Sequence, residues 1–318
     1  MSASASVLVA SRGPASRLER LLDSLARQTV EIEVVIADNA SPGRSVSELC
    51  ARYPFATPFR LDRNEGFSAP MNAAARRAQG EVIVMVNDDC VCDPGFVEAI
   101  SATIDPAAGV VMGAGVMRNA TSPELIDSAG MELDGTLLVY DYLNGMPLSS
   151  VAGAADPIGP SAAAAAFDRA AYLEVGGFDE RLFAYWEDVD LVLRLLLAGG
   201  RCELARGALG THEHSATLWS GSTAKNLLMG YGRGYVLRKW GVVNARRALP
   251  VLAREAMIVG GQAVIDRNLA GLRGRVQGWR RAEASEPFPA EIARRGGGDP
   301  LVRSLARRLR RRMMLRAR

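Results

Sequence analysis

The chain has 318 residues, enough to bury a large core as one big domain or two modest ones. Hydrophobic residues make up 48% and charged residues 23%, which excludes wholesale disorder. The net charge of +3 conceals an asymmetry: residues 1–220 sum to −13 and residues 221–318 to +16.

Four cysteines (Cys50, Cys90, Cys92 and Cys202) are too few and too scattered for a disulfide framework, and Cys90-x-Cys92 is not a zinc spacing. All four read as reduced thiols. The start, Met1-Ser-Ala-Ser-Ala-Ser6, lacks the basic region of a signal peptide. No run reaches the roughly 18–20 uninterrupted apolar residues of a membrane span. The best, Ala248–Leu272, is broken by Arg254, Glu255, Asp266 and Arg267. The expectation is a cytoplasmic protein, peripheral on the inner face of the cell membrane.

In chain order, Val7-Leu-Val-Ala10 is a short strand closed by Ser11-Arg-Gly-Pro14, and Leu18, Leu21, Leu22 and Leu25 recur at helical spacing. Val34-Val-Ile-Ala37 predicts a second strand, ending in the turn Asp38-Asn-Ala-Ser-Pro-Gly43. A helix near Val46–Tyr53, a strand near Thr57–Leu61 and a helix over Ala69–Ala78 follow. Glu81-Val-Ile-Val-Met-Val86 is then a strong strand ending at Asn87-Asp-Asp89. This β-α-β-α order implies a mostly parallel sheet flanked by helices, with ligands at the carboxyl ends of its strands, where Asp38, Asp88 and Asp89 fall. From Val110 to about Pro160 the pattern is irregular, with glycine-rich turns and hairpins. Helix signals return at Asp168–Val175 and Trp186–Ala198, and arginine- and alanine-rich helical stretches follow Thr217.

Adjacent carboxylates at a strand end are costly unless a cation or hydrogen-bond donors neutralise them. Asp88-Asp89 therefore suits a hard ion, Mn2+ or Mg2+, bridging to a diphosphate, although Asn and Asp also favour plain turns. Glu187-Asp-Val-Asp190 opens a helix. The helix dipole and an Asp190–Arg194 pair explain one or two of these acids, but not three beside Tyr185 and Trp186. A carboxylate there can act as general base. The two histidines, His212 and His214, follow a strand, and alternation would put both on one face, suited to a metal or phosphate.

Together these pieces resemble the family 2 glycosyltransferases, with their GT-A fold, and most closely the rhamnosyltransferase-like branch. The resemblance runs from about Ser6 to Trp240. It rests on the opening strand with Arg12, Ala37-Asp-Asn-Ala-Ser41, Arg63-Asn-Glu-Gly-Phe-Ser-Ala-Pro-Met-Asn72 and Asn87-Asp-Asp89. It continues with Ile126-Asp-Ser-Ala-Gly130, Gly176-Gly-Phe-Asp-Glu180 and Trp186-Glu-Asp-Val-Asp-Leu191. By that resemblance Asp38 meets the nucleotide base, with Arg12, Asn64, Gly66, Asn72 and Asp88 completing the donor pocket. Asp89 binds the metal, joined by His212 or His214. Asp188 is the general base with Glu187 beside it, and Tyr185 and Trp186 meet the acceptor. Asn87 opens the aspartate triplet, and Arg12 stands where many relatives carry tyrosine or asparagine.

The implied reaction is an inverting transfer from a dTDP- or UDP-linked sugar, rhamnose among the candidates, to a hydroxyl of a cell-envelope glycan or a polyprenyl-linked acceptor. Two other readings are a sugar-1-phosphate nucleotidyltransferase and a non-catalytic membrane-docked scaffold. The first would carry a basic glycine-rich loop after the first strand, and Ser11-Arg-Gly-Pro14 holds one arginine. The expected division is a catalytic domain over 1–217 and a basic, mainly helical region over 218–318. Leu301–Arg318, with eight arginines and no acid, suggests an anionic membrane surface; the alternatives are packing on the body or a homodimer. No nucleic-acid module is recognisable.

Overall fold

The computed structural model describes residues 5–43, 45–212, 221–244 and 247–284. Val7, Leu8 and Val9 lie within β1 (Ala5–Ser11), and none of them reaches solvent. Successive side chains of a strand point to opposite faces. Val7 and Val9 accordingly join one hydrophobic cluster while Leu8 joins another. The sheet therefore has a core on each face, which is why its strands read as continuous apolar runs.

The first half follows the β-α alternation expected. After β1 come α1 (Ala15–Leu25), β2 (Glu33–Asp38), α2 (Ser45–Cys50), β3 (Ala56–Arg60), α3 (Ser68–Arg77) and β4 (Val82–Val86). The strands lie in the order β3-β2-β1-β4, all parallel. Strand order reverses between β1 and β4, and α1 and α2 pack on one face while α3 packs on the other. In open sheets of this kind the crevice at such a reversal is where ligands bind.

The second half extends the sheet with mixed directions. It contains β5 (Cys90–Cys92), α4 (Phe96–Ser101), β6 (Val110–Asn119), β7 (Ser122–Ser128), β8 (Met131–Leu133) and β9 (Val139–Asp141). Then follow β10 (Ala164–Asp168), α5 (Arg169–Glu174), α6 (Glu187–Leu197) and β11 (Arg201–His212). From β4 the nine-stranded sheet continues β10-β6-β11-β5, with β7 paired to β6 and the β8–β9 hairpin forming a separate small sheet. β10 runs antiparallel to both its neighbours. Its alanine-rich sequence has little intrinsic strand preference. It fits there because Gly113 and Gly115 of β6 pack directly against Ala166 and Ala164, which lets α4 approach closely.

Three helices close the described chain: α7 (Thr223–Lys239), α8 (Ala248–Ile265) and α9 (Ala270–Arg281). α7 and α9 cross with backbones in contact. A Cβ on Gly274 would overlap the Leu227 carbonyl, and one on Gly278 the Tyr231 carbonyl. Gly278→Ala is therefore expected to lower unfolding stability by about 1–3 kcal/mol through overpacking, outweighing the ~1 kcal/mol that alanine gains in helix propensity. Urea denaturation measures this, and unchanged stability would mean that the helices do not meet there.

Candidate active site

The predicted carboxylates gather at the strand-order reversal. Asp38 ends β2 in register with Ser11, the end of β1, and Asp88 and Asp89 follow β4. The Ser11 hydroxyl donates to Asp88 Oδ2 at 2.7 Å, bridging β1 and β4. Burial pushes the Asp88 carboxyl up to about 6, although Ser11 and Arg17, 3.8 Å away, act against the shift. Asp38 is buried; it accepts from Arg60 at 2.7 Å and from the Ser41 amide at 2.9 Å. Arg12 is exposed just beyond β1.

Asn64 and Gly66 form a clasp. The Asn39 side-chain amide donates to Asn64 Oδ1 at 3.0 Å and to the Gly66 carbonyl at 2.6 Å. Gly66 has φ +81°, and a Cβ there would overlap the Phe183 carbonyl. Only glycine meets both demands at this position. The neighbouring Phe67 amide donates to the Phe183 carbonyl at 2.6 Å, tying this side of the crevice to the segment that leads into α6.

Asp89 and His212 meet although 123 positions separate them. His212 ends β11, which pairs with β5, so the ladder carries it to the carboxylates. Its Nε2 lies 3.3 Å from Asp89 Oδ1 and its Nδ1 3.2 Å from Asp127 Oδ2. Burial alone would lower the pKa of the ring, but Asp127 and Asp89 outweigh it and raise it to about 9. Burial would likewise raise Asp89, and His212 with Arg17 reverses it to a net lowering. The approach of Nε2 falls short of hydrogen-bond alignment, so Asp89 Oδ1 is a buried carboxylate oxygen with no hydrogen-bond partner among the described residues. Such an atom is costly, and an oxygen beside an imidazole suits a hard divalent ion. The donor set therefore fits a metal.

Asp89, Cys90 and His212 offer ligand atoms within 4.8 Å of one another. Cys90 is the poor member: burial raises its thiol far above the normal range, and soft sulfur is not the ligand of Mn2+ or Mg2+. All four cysteines are free and buried, as the sequence implied. His214 lies outside the described residues. Asp127, on β7, was missed as a site residue, although it sits in the Ile126–Gly130 block; a carboxylate on the second ring nitrogen is the usual support of a ligating histidine.

The acidic run 187–190 opens α6 as expected, but its members differ in role. Glu187 is buried with Oε2 unpartnered among the described residues. Asp188 Oδ1 accepts from the Val189 amide at 2.8 Å. Burial raises the Asp188 carboxyl, while the Val189 and Ala162 amides oppose it. Burial raises Glu187 too, and the Asp188 charge adds to the effect. Asp190 instead pairs with Arg194 at 2.9 Å, as predicted, and with Lys239 at 2.7 Å. Ala162 touches Asp188 and the next residue, Ala163, accepts from the Cys90 thiol at 3.7 Å, so two residues of chain link Asp188 to the strand that follows Asp89.

Two expected site residues are tied into the packing. The Trp186 indole is buried, donates to the Met229 carbonyl at 3.1 Å and is packed against Gly232 and Arg233 of α7. Tyr185 remains half-buried, with Lys225 Nζ 5.7 Å from its ring centre. Asn72 is buried. Its amide donates to the Phe178 carbonyl and to Glu180, both at 2.9 Å, and its oxygen accepts from Tyr172 at 2.6 Å and the Phe178 amide at 2.8 Å. It ties α3 to the Gly176–Glu180 loop.

Comparison with known proteins bears on the sequence and the fold. Residues 6–138 match the model of the family described as Glycosyl transferase family 2. The glycosyltransferase YwdF of Bacillus subtilis is 31% identical over 105 residues, 32% of this chain and 38% of that protein, so the match spans well under half of that relative. An N-acetylglucosaminyl-diphospho-decaprenol L-rhamnosyltransferase of Mycobacterium tuberculosis is 27% identical over 228 residues, 61% of this chain and 70% of its own. The crystal structure of GalNAc-T7 with UDP, GalNAc and Mn2+ is similar with a TM-score of 0.63 at 16% identity, covering 90% of this chain and 55% of that one, a likeness of fold. The matched segment, 6–138, is similar to the family 2 glycosyltransferases, and the fold of the chain is similar to a glycosyltransferase of GT-A fold.

Proposed function

We propose that the protein transfers a sugar from a nucleoside-diphosphate donor to a hydroxyl of a polyprenyl-linked, cell-envelope acceptor, inverting the anomeric carbon. The observation that carries this reading is the Glu187–Asp188 pair at the start of α6, Glu187 buried and Asp188 half-buried, joined through Ala162–Ala163 to the strand of Asp89 and Cys90. The Mycobacterium relative's name supports L-rhamnose as the sugar and a decaprenol-linked acceptor. The bound UDP and Mn2+ of the similar structure support the donor class.

In this reading Asp38 and Arg12 receive the nucleoside and Asp88 the ribose or the metal's outer ligands, while Asp89 and His212 would hold a divalent ion. When bound, that ion supplies positive charge to the diphosphate leaving group. Ligation needs a neutral imidazole, so loading releases the His212 proton. Asp188 takes the acceptor proton as the hydroxyl oxygen attacks the anomeric carbon from the face opposite the diphosphate. Burial raises both carboxyls, so the Glu187–Asp188 pair titrates as a unit. One displacement suffices, and no covalent sugar–enzyme intermediate forms. Residues 1–217 would act as the catalytic unit and 218–318 as the basic extension that keeps it at the inner membrane face.

Three outcomes test this. Asp188→Asn should lower turnover by a factor of about 10²–10⁴ with donor affinity nearly intact, since it removes a base and keeps the shape; near-normal turnover would sink the assignment. UDP should bind more tightly with Mn2+ than with EDTA in calorimetric titration, and Asp89→Ala should abolish the difference. Equal affinity in the parent under both conditions rejects the metal.

The third concerns stability. Glu187 binds its proton more tightly folded than unfolded, so its contribution is complete below the ordinary carboxylate range and is lost as pH rises through the raised folded value. Glu187→Gln removes that loss. The thermal midpoint of the variant should exceed the parent's by more at pH 8 than at pH 5, and a gap independent of pH would contradict the burial assigned to the pair.

A further inference from the structure

α8 is built inside out. Its charged residues face the protein: Glu255 is buried and accepts from Arg233 at 2.7 Å and from Arg275 at 2.6 Å, while Arg254 pairs with Asp134 at 2.7 Å. Val251, one turn before Glu255, is buried on the same side. The opposite side presents Leu249, Leu252, Val264 and Ile265 with 82%, 57%, 79% and 81% exposure, together with Met257. The remaining exposed positions of this helix are alanine, proline and glycine, so no charge interrupts the face. Single exposed apolar residues are ordinary, but a continuous apolar face along roughly 27 Å of helix is not. α9 extends it with exposed Leu272, Val276 and Trp279 on the side of Arg275, the residue that reaches α8. Arg273, Arg280 and Arg281 stand exposed around that stripe.

We propose that the outward face of α8, with the Leu272–Val276–Trp279 stripe of α9, lies flat in the interfacial layer of an anionic lipid membrane. By length and composition alone α8 could cross a bilayer. Crossing would strip Glu255 from Arg233 and Arg275 and leave buried charges uncompensated. With those pairs kept, the helix can only lie in the plane, apolar side down and arginines at the headgroups. The charge selects the occupant. A second copy would set one +16 region against another, whereas an anionic surface complements both the arginines and the apolar face.

The placement also deepens the proposed function, on which it rests only for the identity of the acceptor. At the end of α8, Asp266 accepts from Asn226 at 2.8 Å at the start of α7. The adjacent Lys225 reaches Tyr185, two residues before Glu187. The end of the lipid-facing helix is thus linked, through Asn226, Lys225 and Tyr185, to the segment that opens α6, whose carboxylates would receive a membrane-tethered hydroxyl.

The test uses the full chain and a Leu249→Glu, Leu252→Glu, Val264→Glu triple variant. These side chains are exposed, so the core is untouched, and thermal unfolding with Mn2+-dependent UDP titration checks fold and active site. Both proteins are co-sedimented with phosphatidylcholine vesicles with and without phosphatidylglycerol. The parent should bind the anionic vesicles, and the variant should partition at least tenfold more weakly while taking up UDP as the parent does. Equal sedimentation of the two would overturn the proposal, leaving the arginines of residues 301–318 as the attachment. Absence of vesicle binding by the parent would overturn it as well. So would a parent dimer that the variant dissolves without any vesicle binding, since the face would then be a self-interface. Loss of vesicle binding in the variant when neither protein binds UDP would support the membrane face and reject the catalytic reading instead.

Discussion

Asp190 has no contact with solvent, and three donors converge on it: Arg194 at 2.9 Å from its own helix, and Lys239 at 2.7 Å and the Trp240 indole at 3.1 Å from the end of α7. Removing one partner of such a buried cluster typically costs about 3–5 kcal/mol. Lys239 also reaches Asp179 at 2.8 Å, in the loop that Asn72 holds. One lysine thereby fastens α7 to both the loop before α6 and α6 itself. The clamp holds Trp186 against Gly232, and with it the two consecutive left-handed residues Tyr185 (φ 69°) and Trp186 (φ 74°). Left-handed backbone at non-glycine residues costs about 1–3 kcal/mol each and persists only where the surroundings over-determine it. Here it aims Glu187 and Asp188 out of the first turn of α6.

The strand ends obey a different constraint. Parallel strands end together, so Ser11, Asp38 and Asp88–Asp89 crowd one edge of the sheet, where burial opposes their charge. Asp38 is compensated by Arg60 and Asp88 by Ser11 and Arg17. Asp89 alone of these keeps a buried oxygen without a hydrogen-bond partner among the described residues. A buried carboxylate oxygen that His212 meets only as a charge, without a hydrogen bond, is a position where a ligand can complete the structure. The strain at α6 and the unmet oxygen of Asp89 lie on either side of the Ala162–Ala163 segment.

The last three helices use polarity in reverse. Arg233, Glu255 and Arg275 form a buried ion triad where a soluble helical hairpin would place leucines. Buried ion pairs are a weak source of stability but a strong source of orientation. Here the triad fixes which way α8 faces, and the glycine contacts between α7 and α9 let it form by bringing the backbones close.

Local periodicity determined much of this protein from sequence. The alternation from β1 to β4 appears as short continuous apolar runs between stretches of period 3.6, and once the strands are taken as parallel, Asp38, Asp88 and Asp89 must sit at one edge. The acidic start of α6 and its Asp190–Arg194 pair were legible for the same reason, since residues four apart share a helix face. Other features depended on residues far apart in sequence. β10 entered the middle of the sheet because β6 offered glycines to its alanines, which no propensity announces. His212 found Asp127 across 85 positions, and Trp186 turned inward because α7 carries Gly232 at the point of contact. The apolar character of Ala248–Leu272 was visible from composition, but its direction was not. That direction follows from where Arg233 and Arg275 meet Glu255, because a buried charge must face its partner whatever the rest of the helix would prefer.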